Sequence, residues 1–276
     1  MDLLRQIDKS QRRRWIKVNS SDQKVTKTIH MLNLPFEKKW MYHLTVLYNE
    51  NSNSYVLVDT GMPGQYEEIL EQFEKLGLPA SRLSDIILTH QDVDHIGSLP
   101  EFIEKHSVNV YAHEIDKPYI NGHKQLIKWP ETFIQMLPEN RRNLLESFYL
   151  AKPSANVTHV IKDGDHLPIA GGLIVIHTPG HTPGHVSLYH KRSKTLIAGD
   201  AMAVVNGELK GPVPDPGVTP DLETAIDSLQ KFKTFPIETV FCYHGGKYEG
   251  NVHKRIDEIT NRYHNGTYTM KTFFDS

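Results

Sequence analysis

The stretch His90-Gln91-Asp92-Val93-Asp94-His95 holds four potential metal ligands within six residues. It directly follows a predicted strand at residues 86–88, and ligands on a loop that leaves a strand can converge on a metal ion from one short segment. A polar turn that caps a helix explains the same residues equally well. A calcium loop of the EF-hand type does not, because Ile96 stands where the fifth-position oxygen ligand belongs.

Three further segments have the same character and favour the metal interpretation. His181 lies in the stretch TPGHTPGH at residues 178–185, Asp200 follows Gly199, and His244 precedes two glycines. Each follows a predicted strand, so ligand candidates stand at the ends of separate strands, as an open two-metal site at a sheet edge requires. The carboxylate of Asp200 has two oxygens and can bridge two ions, whereas a neutral imidazole binds one ion.

The order of predicted elements indicates two packed sheets flanked by helices, a four-layer single domain of the α/β class. Predicted strands occupy residues 25–31, 41–48, 55–58, 86–88, 108–112, 157–161, 173–177, 186–189, 195–198 and 239–243. Helices are predicted at residues 66–76, closed by Gly77, near 99–106, at 221–235 with Thr219 as its N-cap, and at 252–263. The domain is expected to span residues 25–265 with a helical insertion at about 114–153, between an N-terminal extension at 1–24 and a C-terminal tail at 266–276.

Composition and charge narrow the class of partner. The 276 residues carry 31 Lys and Arg against 33 Asp and Glu, a formal charge of −2, so no basic field attracts nucleic acid. No apolar run approaches the roughly 18 residues that span a membrane, and the N-terminus lacks the apolar stretch of a signal peptide. Cys242 is the only cysteine, which favours a reducing cytoplasm. We therefore expect a cytoplasmic protein with a small-molecule substrate and no nucleic-acid or membrane partner.

In order along the chain, Asp59-Thr60-Gly61, the His90 stretch, His181, Asp200 and His244 resemble the five motifs of the metallo-β-lactamase-fold hydrolase superfamily. The resemblance implies an αββα sandwich with two metal ions in a groove at one edge of the sheets. Carried over residue by residue, it implies three sets of ligands: His90, Asp92 and His181 for the first ion; Asp94, His95 and His244 for the second; and Asp200 as the bridge. It also implies that Asp59 orients the His90 loop from beneath, and that His185 is a structural hydrogen-bonding residue near the site.

Asp92 departs from the pattern, since the family usually has His at this position. The departure makes a two-metal centre less positive by one charge, which favours harder ions. Zinc is the expected metal, with iron or manganese as alternatives.

The same resemblance implies a metal-dependent hydrolase that cleaves a carboxylic ester, lactone or thioester by attack of a metal-bridging hydroxide, with Asp94 handling the proton. A diiron oxidoreductase-type member and a phosphodiesterase or nuclease of the same fold are the alternatives. Lactonases of the superfamily typically carry Tyr where this chain has Ala203, which weakens the lactonase-like interpretation. Three residues of the insertion are candidates for an apolar wall of the substrate pocket, unless the insertion simply packs on the domain: Trp129, Phe133 and Phe148.

Overall fold

The computed structural model describes residues 28–36, 40–128 and 156–274, together with isolated residues between 129 and 155. Half of the predicted insertion, and the pocket candidates Trp129, Phe133 and Phe148, lie outside the described residues, as does the N-terminal extension.

Side chains of the strands alternate between two cores, and this alternation fixes the layers. Leu57 packs against helices on the outer side of its sheet, while its neighbours Val56 and Val58 pack against the other sheet. The second sheet repeats the pattern, because Val240 faces helices and Phe241 faces the first sheet. Successive side chains of a strand point to opposite faces of its sheet. Because both sets are buried here, each sheet is buried on both faces. The predicted four-layer αββα sandwich is confirmed.

The first sheet contains β1 (Ile29–Phe36), β2 (Trp40–Asn49), β3 (Ser54–Val58), β4 (Leu83–Ile87), β5 (Asn109–His113) and β6 (His159–Ile161), in that order. The second sheet has the order β14-β13-β10-β9-β8-β7, and its strands are β7 (His166–Leu167), β8 (Leu173–His177), β9 (Val186–His190), β10 (Thr195–Gly199), β13 (Thr239–Cys242) and β14 (Gly246–Tyr248). A separate hairpin pairs β11 (Ala203–Val205) with β12 (Glu208–Lys210).

Helices cover the outer face of each sheet. On the first side and around the loops lie α1 (Tyr66–Lys75), α2 (Val93–Ile96), α3 (Leu99–Lys105) and α4 (Lys117–Ile120). On the second lie α5 (Leu222–Ser228), α6 (Val252–His264) and α7 (Met270–Phe274). Single 3-10 turns occupy Ala80–Arg82 and Leu229–Thr234. Among the residues described, no helix combines the length and the apolar character needed to cross a membrane.

The N-cap prediction near the end of the chain is wrong, and the expected C-terminal tail packs against the domain. The helix predicted at 221–235 is capped by Asp221 rather than Thr219, because the Asp221 carboxylate accepts the N–H of Thr224 at 3.0 Å. The α-helix ends at Ser228 and a 3-10 segment follows at Leu229–Thr234. Helical geometry stops at Phe235, since Pro236 disfavours it at the preceding residue. The segment expected as a tail packs against the apolar side chains between the second sheet and its helices. Phe273 is buried there, and the Tyr268 hydroxyl donates to the backbone carbonyl of Pro212 at 2.8 Å.

The two sheets are joined where the motif loops leave them. A single antiparallel bridge links Tyr42 of β2 to His244, and the N–H of His43 donates to the carbonyl of Tyr243 at 2.9 Å. The sheets are also joined after β4, where the carbonyl of Thr89 accepts the N–H of Val186, the first residue of β9, at 2.8 Å. These cross-sheet hydrogen bonds hold the loops that follow β4 and β13 against the opposite sheet, and both loops lie at this edge.

Candidate metal centre

The structure brings all seven predicted ligand residues together at this edge. Their imidazole nitrogens and carboxylate oxygens form three overlapping groups, and within each group the ligand atoms lie within 4.8 Å of one another. The groups are His90, Asp92 and His181; His90, His95 and Asp200; and Asp94, His95 and His244. Each is large enough to hold one metal ion.

Asp200 contacts histidines from all three groups. One of its oxygens lies 3.3 Å from His95 Nε2, and the other lies 3.3 Å from His181 Nε2 and 3.2 Å from His244 Nε2. Asp94 faces the open side, 3.7 Å from His95 Nε2 and 3.6 Å from His244 Nε2, and it is the more exposed of the two carboxylates. Asp200 therefore stands at the centre, where a bridging ligand would have to stand.

Unsatisfied polar atoms indicate that the cluster suits a cation. Among the residues described, seven buried side-chain nitrogen or oxygen atoms make no hydrogen bond, and five belong to this cluster: His90 Nε2, Asp92 Oδ1, His95 Nε2, His181 Nδ1 and Asp200 Oδ1. Buried polar atoms without partners are rare in folded proteins and call for an explanation. Imidazole nitrogens and carboxylate oxygens turned toward one another are the donor set of zinc, iron and manganese sites, and the residues present fit such an ion.

Charge is unevenly distributed within the cluster. Burial lowers the pKa of His90 well below its usual value, so this imidazole is neutral and keeps a lone pair near pH 7. Burial also opposes protonation of His95, yet Asp200, Asp59 and Asp94 together raise its pKa well above the usual value. For Asp200, burial opposes ionisation, but the surrounding histidines hold its pKa well below the usual value. A bound cation would take the place of the protons that these carboxylates attract.

Asp59 supports the cluster from below. The residue adopts a positive φ of 63°, a conformation that Asp tolerates better than most residues. Its buried carboxylate accepts the Thr89 N–H and the Thr89 hydroxyl, both at 2.8 Å, and it lies 2.9 Å from His95 Nδ1. Because Nδ1 faces this carboxylate, Nε2 of His95 is turned toward the cluster. Asp59 thereby fixes both ends of the His90 loop.

His185 positions Asp200 from the opposite side. Its Nε2 accepts the backbone N–H of Asp200 at 3.0 Å, and its Nδ1 lies 2.8 Å from the Thr178 hydroxyl. Gly199 allows this approach, because a Cβ at that position would lie 2.7 Å from His185 Nε2. The structure therefore places His185 as a hydrogen-bonding partner of the cluster's central loop.

Comparison with known proteins agrees with this geometry. Residues 39–244 match the metallo-beta-lactamase superfamily. The chain belongs to this superfamily. It is 32% identical over 226 residues to the probable metallo-hydrolase YflN of Bacillus subtilis, an alignment that covers 76% of this chain and 83% of the relative. It is 29% identical over 206 residues to a hydroxyacylglutathione hydrolase of Buchnera aphidicola, covering 72% of this chain and 60% of that protein.

Solved structures show the same fold. The metallo-beta-lactamase family protein TTHA1429 of Thermus thermophilus superposes with a TM-score of 0.67 at 23% identity, covering 87% of this chain and 81% of that one. The expected superfamily and the expected class, a metal-dependent hydrolase, are both confirmed.

Asp116 is a buried carboxylate of this metallo-beta-lactamase fold that sequence reasoning missed. It accepts four hydrogen bonds from the two loops that carry His90 and His181: from the N–H and the side-chain amide of Gln91 at 3.1 and 3.0 Å, from the Thr182 hydroxyl at 2.8 Å and from the Gly184 N–H at 3.0 Å. Its partners lie between 25 and 68 residues away in sequence. No local pattern marks such a residue.

Two further residues at the centre were also missed. The ring of Tyr243 lies on His95, with 3.8 Å between ring centroids, and its hydroxyl donates to the backbone carbonyl of Asp94. Its position directly before His244 was the available signal. Lys128 reaches the cluster from within the predicted insertion, and its ammonium contacts Asp92 and His181. No motif of the superfamily pointed to it.

Proposed function

We propose that the chain is a metal-dependent hydrolase that cleaves a carboxylic ester, lactone or thioester of a small molecule. The position of Asp200 among His95, His181 and His244 is the observation that carries this proposal. A divalent ion held by these side chains would supply Lewis-acid chemistry, polarising the electrophilic oxygen and acidifying water. Zinc is the first candidate, and the carboxylate of Asp92 makes iron or manganese the alternatives.

The protein's own residues supply positioning and proton transfer. Asp59 and Asp116 fix the loops that carry the ligands, and His185 fixes Asp200, so the reacting groups need little rearrangement when substrate binds. Asp94 faces the open side of the cluster, where a leaving group departs into solvent. We assign to Asp94 the delivery of a proton to that group.

Thioesters and simple esters are favoured over lactones within this class. The relative named hydroxyacylglutathione hydrolase supports thioester cleavage. The presence of Ala203 three residues after Asp200, where lactonases of the superfamily typically have Tyr, argues against a lactone-specific pocket. The formal charge of −2 supports a small substrate rather than a nucleic acid, and the single cysteine supports a cytoplasmic location.

A panel of thioesters, esters, lactones and phosphodiesters, assayed with protein of measured metal content, tests the proposed reaction. We expect turnover of a thioester or ester, and a fall in kcat of about 100-fold or more in Asp94→Asn, since removal of a general acid or base typically costs 10²–10⁴. Asp227→Asn, an exposed carboxylate outside the cluster, is the matched control. Cleavage of phosphodiesters alone would disprove the proposed substrate class. Full turnover by Asp94→Asn with unchanged metal content would disprove the role of Asp94.

A further inference from the structure

The ammonium of Lys128 contacts two of the three residues of the first ligand group, Asp92 and His181. We propose that its ammonium group is a built-in cation of the centre, so that the chain binds one metal ion, held by Asp94, His95, Asp200 and His244, rather than two. The inference rests on the proposed metal site and revises the two-ion expectation drawn from the sequence.

Lys128 makes two of the three contacts that a first ion would make, and His90 is the third member of that ligand group. Its Nζ lies 2.5 Å from Asp92 Oδ2 and 2.6 Å from His181 Nε2. Asp92 and His181 are two of the three residues that form the first ligand group with His90. An ammonium has three N–H donors and can donate to both acceptor atoms at once. A metal ion bonds the same kinds of atoms at about 2.0–2.2 Å, so the ion and the ammonium cannot share the position.

The backbone next to Lys128 is anchored to the ligand loop itself. The N–H of Ile127 donates to the side-chain oxygen of Gln91 at 3.0 Å, and the nitrogen of the same amide donates to Asp116 at 3.0 Å. Leu126, which precedes Ile127, is buried among the apolar side chains between the first sheet and its helices. The Lys128 side chain is only 7% exposed. A chain of contacts from Asp116 through Gln91 therefore sets the point from which Lys128 enters the cluster.

Asp92 gives a chemical reason for the lysine. The superfamily usually has a histidine at this position, and a neutral imidazole offers an ammonium no charge partner. The Asp92 carboxylate does, and a buried carboxylate is costly unless it is paired. Burial opposes ionisation of Asp92, but Lys128, together with His90 and His181, holds its pKa well below the usual value.

Charge balance points to one ion as well. Three carboxylates face the centre: Asp92, Asp94 and Asp200. One divalent ion and one ammonium carry three positive charges and match them, whereas two divalent ions with Lys128 would leave an excess. Among the ion pairs of the described residues, Asp94 and Asp200 pair only with histidines. The ion therefore belongs on their side of the cluster.

Metal stoichiometry tests the inference without any assay of activity. Metal-free wild type, Lys128→Ala and the control Lys124→Ala, an exposed lysine of the same segment, are saturated with Zn²⁺, freed of unbound metal by gel filtration and analysed for zinc per chain. We expect about one zinc in the wild type and in Lys124→Ala, and about two in Lys128→Ala. Lys128→Gln, which keeps most of the side-chain length without the charge, is measured in the same way.

The outcomes separate the inference from the proposed function. Two zinc ions bound to the wild type, or one bound to a folded Lys128→Ala, would overturn the role of Lys128 and leave the hydrolase proposal standing. No zinc bound to the wild type would overturn the metal site itself. If neither Lys128 variant folds, the wild-type stoichiometry alone decides between one ion and two.

Discussion

We expect the replacement of Asp200 with asparagine to lower kcat/KM by more than about 100-fold and to weaken metal binding by at least as much. The two Asp200 oxygens lie within 3.3 Å of three imidazole nitrogens, those of His95, His181 and His244. Asn keeps the shape but replaces one charged acceptor oxygen with an NH₂ donor, which cannot bind a cation. Mutation of groups that only orient metal ligands typically costs 10–100-fold, so a ligand at the centre should cost more.

The measurement is metal affinity together with steady-state kinetics on the substrate identified by the panel. Asp257→Asn is the matched control, because Asp257 forms an exposed ion pair with Lys233 and such pairs contribute little. Activity within threefold of wild type in Asp200→Asn, with its metal retained, would show that the cluster is not organised around this residue.

We expect the replacement of Asp116 with alanine to lower the free energy of unfolding by about 3–5 kcal/mol, because four donors from two loops lose their buried acceptor. The change leaves the amide of Gln91, the Thr182 hydroxyl and the Gly184 N–H without their acceptor. A buried donor that loses its partner costs about 1–3 kcal/mol. The Cβ of a residue at Gly184 would also lie against Asp116, so the two loops are closely packed here.

Urea unfolding of Asp116→Ala, Asp116→Asn and the exposed control Asp227→Ala measures this effect. We expect Asp116→Asn to fall between the wild type and Asp116→Ala, because one acceptor oxygen remains and each carboxylate oxygen accepts one hydrogen bond from each loop. A loss below about 1 kcal/mol in Asp116→Ala would mean that the loops are held together by other contacts.

The centre was largely predictable because its ligands follow a local rule. His90, His181, Asp200 and His244 each stand within four residues of the end of a strand, and strands that end at one edge of a sheet bring such residues together. The layers were predictable for a related reason, since strands buried on both faces read as short apolar runs between turns. Gly77 predicted the end of α1, because glycine readily adopts the positive φ that follows many helices, and its φ here is 68°.

The residues that hold the ligands in place were not predictable in this way. Lys128 meets Asp92 across 36 residues and His181 across 53, and Asp116 meets Thr182 across 66. Such contacts are determined by how the layers pack, and nothing in the neighbouring sequence records them. The prediction of Thr219 as the helix cap was wrong, because Thr and Asp are both good caps and only the local backbone selects Asp221.

Hydrolysis of an ester or thioester before metal removal, after it and after metal is restored tests the central claim most directly. The protein is assayed as purified, then after treatment with a chelator and removal of that chelator, and finally after addition of one equivalent of the metal found at purification. The account predicts that activity falls to background in the metal-free protein and returns with the added metal, while the fold persists. Undiminished hydrolysis by protein shown to be metal-free would contradict it.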